Sequence, residues 1–150
     1  TTALDVTIQA QILDLMRRLQ EEFDSAIIMI THNLGIINEM SDRIAVMYLG
    51  KIVEIAERKT LFKRPAHPYT VGLMQSVPTM GDQQQTRLHP IPGMIPDPFN
   101  IPRGCAFHPR CPVKNKPAAC TEAAEIPLVE VEPGHWARCV LYGESSNGNN

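Results

Sequence analysis

An α/β piece followed by an irregular, cysteine-bearing piece is the fold class this sequence predicts, on three observations. All 13 prolines fall between Pro65 and Pro133. All four cysteines fall in the same second part. Residues 1–64 alternate helix-period apolar stripes with apolar runs of strand length. Proline lacks a backbone donor and fixes φ, so the first part is free to form regular elements. The second part is expected to be mostly turns and extended loop.

Taken in order, Ile8, Ile12, Leu15, Met16, Leu19 and Phe23 recur at helical spacing and predict a helix with one apolar stripe. Asp5 or Thr7 is placed to cap its free N–H groups. Ala26 to Ile30 is a continuous apolar run, as in a parallel strand buried on both faces. Thr31-His32-Asn33 follows, and Asn33 is the expected cap of a helix carrying Leu34, Ile36, Ile37 and Met40. Ile44 to Tyr48 reads as a second strand, Gly50-Lys51 as a turn, and Ile52 to Ile55 as a third strand. Alternating helix and strand around an apolar central strand indicates an α/β sheet. Ligands meet the carboxyl ends of strands in such sheets, and His32 stands at one. By position alone, His32 is first a hydrogen-bonded structural residue and Asp5 a helix cap.

Size and charge bound the function. The chain has 150 residues, one domain's worth. Fourteen Lys and Arg against 16 Asp and Glu give a net charge of −2, which disfavours a nucleic-acid binder driven by charge. At 43% hydrophobic residues, a disordered or collagen-like chain is also disfavoured. No apolar run nears the roughly 20 residues that cross a bilayer. Thr1 to Asp5 has no basic n-region and no Met, and reads as a cut edge of a longer protein. There is no internal repeat.

Cys105, Cys111, Cys120 and Cys139 are separated by five, eight and eighteen residues, with no C-x-x-C pair. The common zinc-ribbon pattern is therefore not met. Spacing leaves open two disulfides, a metal site or independent core thiols. Four thiolates suit tetrahedral zinc or an iron–sulfur cluster. His108 and His135 are possible substitutes for a cysteine, and each reads first as an exposed loop histidine. His67, in Pro65-Ala66-His67-Pro68, reads as structural.

Thr2-Ala3-Leu4-Asp5-Val6-Thr7, a helix, then Ile28-Met29-Ile30-Thr31-His32-Asn33-Leu34 resemble the second half of an ABC-transporter ATPase domain, with its D-loop and switch histidine. Met47 to Glu54 resembles the hairpin that follows. Phe62-Lys63-Arg64-Pro65-Ala66-His67-Pro68-Tyr69-Thr70 resembles the motif of the di- and oligopeptide importer branch. Leu88 to Gly93 is similar to that branch's Ile-Pro-Gly segment, and Arg103 to Pro112 to its cysteine motif. Asn33 departs from the Asp of many relatives, but Asn still caps a helix.

The resemblance implies the C-terminal half of a P-loop ABC ATPase domain followed by an irregular cysteine-bearing extension. It divides the chain into an ATPase part over 1–75, a proline-rich linker over 76–102, a four-cysteine module over 103–142 and a frayed tail over 143–150. The chain would be part of the ATP-hydrolysing subunit of a peptide importer, peripheral on the cytoplasmic face of the inner membrane. Its partners would be a second ABC ATPase subunit, identical or related, and transmembrane permease subunits, with no nucleic acid. His32 would contact the γ-phosphate and Asp5 would link two nucleotide sites.

The chain contains no G-x-x-x-x-G-K-[ST] loop and no Leu-Ser-Gly-Gly-Gln signature. ATP and Mg²⁺ would need those elements, so the chain alone is expected to be inactive. The resemblance further implies a [4Fe–4S] cluster on the four cysteines, with zinc as the alternative. A cluster would act as a staple for a segment too proline-rich to build a core, with Phe107 and Trp136 as its apolar shell. The competing readings are a non-enzymatic metal-binding or interaction module and, more weakly, a secreted disulfide protein.

Overall fold

A computed structural model describes residues 6–76 and 90–146 of the chain. It divides into two compact units, residues 1–40 and 41–150. Asp5 and the Leu88-His89 end of the Ile-Pro-Gly segment lie outside the described residues.

In the first unit, helix α1 spans Val6–Phe23 and helix α2 spans Leu34–Met40. Thr7 lies inside α1 and so is not its cap. The helix ends where Asp24 takes a left-handed conformation (φ 45°) and Ser25 N–H donates back to Gln20 O at 3.2 Å. Asn33 does cap α2: its Oδ1 accepts from Gly35 N–H at 3.0 Å and Ile36 N–H at 3.3 Å. Arg17 of α1 and Glu39 of α2 form an exposed ion pair at 2.6 Å.

The predicted strand Ala26–Ile30 is not one. Residues 25–33 carry no regular element, and Ile28 and Ile30 are 92% and 96% exposed. A strand exists only through a ladder, and no described residue pairs with this run. The predicted stripe of α1 forms, but Ile12, Leu15 and Phe23 face solvent and Leu13 is buried instead.

The second unit is built on a four-stranded sheet in the order β1-β2-β4-β3. Strand β1 is Arg43–Tyr48, β2 is Lys51–Glu57, β3 is Val129–Glu132 and β4 is His135–Ala137. The fold is mixed helix and sheet as predicted, yet all described pairings are antiparallel rather than parallel. The reason is local. Leu49 and Gly50 both take positive φ (45° and 77°), a two-residue turn whose twist folds β2 straight back on β1. Ile44, Val46 and Tyr48 alternate inward along β1, as the period-2 pattern requires.

Helix α3 (Arg58–Lys63) follows β2 and stops before Pro65, which disfavours helical geometry in the residue preceding it. Helix α4 (Pro68–Gln75) is unexpected in a proline-rich part. Proline is favoured in a helix's first turn, where its missing N–H has no partner to lose. A short helix α5 (Ala119–Glu122) and strands β3 and β4 complete the second part. That part is thus more regular than its proline content predicts. Arg138 ties it to the hairpin: its N–H donates to Val53 O and its Nε to Ile52 O, each at 2.8 Å. No described helix is long and apolar enough to cross a membrane.

Candidate functional site

Four segments of the second unit bring the cysteines to one place. Cys105 follows Gly104, whose φ of +70° suits a residue without a side chain. A Cβ on Gly104 would collide with the Cys120 carbonyl. The close approach lets Cys105 N–H donate to Cys120 O at 2.9 Å. His108 N–H donates to Cys105 O at 2.8 Å, opening a 3₁₀ turn (His108–Arg110) that leads into Cys111. Cys120 sits in α5, and Cys139 stands two residues after β4.

All four cysteines line one cavity of about 360 Å³, part of it open to solvent. Phe107, His67 and Lys116 share its wall. Phe107 is 1% exposed and meets the Tyr48, Tyr69 and His67 rings at 5.3, 5.4 and 5.9 Å. This aromatic knot ties the hairpin, the start of α4 and the cysteine loop together. Phe107 lines the cavity beside the cysteines. Trp136 does not line the cavity; it pairs with Ile55 and Glu130 in the sheet.

Burial governs the electrostatics. It pushes the Cys139 thiol up to about 11, with the other three cysteines adding to the rise. Burial also raises Cys105 and Cys120. Burial lowers the His67 imidazole to about 4, opposed by the Glu54 carboxylate. All four cysteines carry free thiols, none joined in a disulfide. Among the described residues, no three His, Cys, Asp or Glu side chains are arranged to hold a metal ion as they stand. The donor chemistry nevertheless suits a soft metal, because four sulfurs share one largely apolar wall.

One residue was missed. Glu54 is fully buried on β2 and accepts from Ala66 N–H and His67 N–H, each at 2.8 Å. His135 Nε2 lies 2.7 Å from Glu54 Oε1, the oxygen that also accepts from Ala66 N–H. His135 is therefore not an exposed loop histidine; it is 2% exposed, on β4. The signal was available: a lone acid interrupts the apolar run Ile52-Val53-Glu54-Ile55-Ala56. His135 Nδ1 and Thr70 Oγ1 are buried without a partner among the described residues. His32 belongs to the first unit, exposed one residue before the Asn33 cap.

Residues 53–120 match the family described as Oligopeptide/dipeptide transporter, C-terminal region. That stretch includes Glu54, His67, Cys105, Cys111 and Cys120. Over 96% of its length the chain is 48% identical to a putative peptide import ATP-binding protein of Brucella ovis. It is 45% identical, again over 96% of its length, to the oligopeptide transport ATP-binding protein AppD of Bacillus subtilis. Over 80% of its length it is 52% identical to the dipeptide transport ATP-binding protein DppD of the same organism. The chain spans 43% of the length of the first two relatives and 35% of the third.

Proposed function

We propose that this chain is the C-terminal part of the ATP-binding subunit of an ABC importer for dipeptides or oligopeptides. The observation that carries the reading is its similarity, over nearly its whole length, to proteins named for peptide import and ATP binding. The exposed apolar stripe of α1 and the unladdered Ile28–Ile30 run support it, since both are surfaces that a larger α/β domain covers. In this reading the subunit works at the cytoplasmic face of the membrane with a second ATPase subunit and permease subunits. His32 contacts the γ-phosphate and positions the attacking water, and Asp5 lies at the junction of the two ATPase subunits. Positioning and charge stabilisation are most of what phosphoryl transfer asks of a protein. ATP and Mg²⁺ are held by elements this chain does not contain.

The test has two arms. The isolated 150-residue chain is expected to release no phosphate from ATP. An intact subunit carrying His32→Ala still binds ATP but loses hydrolysis. Phosphate release from the isolated chain contradicts its dependence on the phosphate-loop and signature elements, and an unimpaired His32→Ala subunit contradicts the assignment of His32.

The same reading makes Cys105, Cys111, Cys120 and Cys139 the ligands of a metal centre, a [4Fe–4S] cluster, with zinc the alternative. Its support is the convergence of all four thiols on one cavity. A metal there supplies folding energy by cross-linking the loop, α5 and the end of β4. Iron and acid-labile sulfide analysis of protein purified without air decides between them: about four of each for a cubane, and zinc or no metal otherwise.

A further inference from the structure

His67 lines the cysteine cavity and is 1% exposed. Both of its ring nitrogens are engaged. Nδ1 accepts from Tyr69 N–H at 3.1 Å, which caps α4. A nitrogen that accepts carries no proton, so the neutral ring holds its proton on Nε2. Nε2 faces Cys105 Sγ at 4.0 Å. The ring cannot easily turn away. The His67 backbone N–H is held by Glu54 Oε2 at 2.8 Å, Pro68 follows directly, and the Phe107 ring lies against it.

We infer that His67 is a positioning residue whose Nε2–H donates to the Cys105 sulfur and aims it into the cavity the four cysteines share. This rests on the reading of the cysteines as metal ligands. A donor on a ligand's sulfur orients it and stabilises its anionic form. Loss of such an outer partner costs about 10–100-fold in metal affinity.

Two substitutions separate the ring's two tasks. His67→Asn keeps an acceptor near the place of Nδ1, and Asn is a good cap, but it extends no donor to the sulfur. His67→Gln reaches the place of Nε2 and keeps the donor. The reduced, metal-free full chain is titrated with Co²⁺ and followed by sulfur-to-cobalt charge-transfer absorption, with Tm measured on the same samples. The His67 ring tautomer is read from ¹⁵N shifts in metal-free protein.

The expected result is a wild-type-like Co²⁺ affinity for His67→Gln, about 10–100-fold weaker binding for His67→Asn, and the proton on Nε2. A His67→Asn chain that binds Co²⁺ like wild type overturns the inference, as does a proton on Nδ1. A purely structural ring would move Tm in both variants and leave Co²⁺ affinity unchanged. A wild-type chain that binds no Co²⁺ refutes the metal-centre reading instead, and the tautomer then decides the hydrogen bond by itself.

Discussion

His135 Nε2 lies 2.7 Å from Glu54 Oε1, with both side chains essentially out of solvent. Their carboxylate–imidazole contact joins β4 to β2 and, through the two backbone N–H groups that Glu54 also receives, fixes the chain just before α4. Three donors converge on one carboxylate.

That convergence makes Glu54 hard to replace. Glu54→Ala leaves the buried His67 and His135 donors and the half-buried Ala66 N–H without their acceptor and is expected to cost at least about 3 kcal/mol. Glu54→Gln turns one oxygen into an amide that opposes a donor, for a loss of about 1–3 kcal/mol. Urea denaturation of the two variants checks both the order and the size. Equal, sub-kilocalorie losses would show that the network contributes little.

Gly104→Ala tests the joint between Cys105 and Cys120. A left-handed alanine costs more than about 1 kcal/mol from conformation alone, and the collision with the Cys120 carbonyl adds to it. The Cys105 amide, which donates to that carbonyl, should lose hydrogen-exchange protection before the β1–β2 hairpin does. Unchanged protection at Cys105 would mean that the loop is held by other contacts.

Tyr69 supplies a pH signature. Burial raises its phenol above the usual 10.0, the Tyr48 phenol adds to the rise, and the Arg110 guanidinium opposes it. A phenol raised in the folded state contributes stability that is complete below pH 10.0 and lost as pH climbs through the folded value. Wild type should therefore lose more stability than Tyr69→Phe between pH 9 and pH 11. The thiols titrate in both chains and cancel in the difference. Parallel pH profiles would remove Tyr69 from the alkaline response.

Cys139→Ser separates a metal staple from a core thiol. Cys139 is 7% exposed. If it helps to hold a metal, the substitution lowers Tm and protease resistance in protein purified without air, and chelator treatment of wild type mimics it. In metal-free protein the same substitution should change Tm little. An equal loss with and without metal would assign Cys139 to packing alone.

The parts legible in the sequence are those fixed by neighbours along the chain. The stripe of α1 repeats over four turns, Asn33 caps at a distance of two and three residues, and Ile44, Val46 and Tyr48 alternate ahead of a turn that Gly50 marks. What failed depended on distant partners. Ala26 to Ile30 has a strand's composition but no ladder among the described residues. His135 looked exposed because the acid that buries it stands 81 positions earlier. The spacings of the cysteines do not disclose that Gly104 presses Cys105 against α5. The His67 ring escaped a specific role because one of its two partners, Cys105, stands 38 positions further along the chain.

The pairing of β2 with β4 sets a schedule for synthesis. At about 5–20 residues per second, a ribosome takes roughly 4–16 s to supply the 81 positions that separate Glu54 from His135. Through that interval the nascent hairpin carries an open flank on β2 and a carboxylate without its imidazole. An uncovered strand flank templates pairing with other chains. The interval before β4 arrives is therefore when this protein is most exposed to misassembly and to any holdase that grips strand edges.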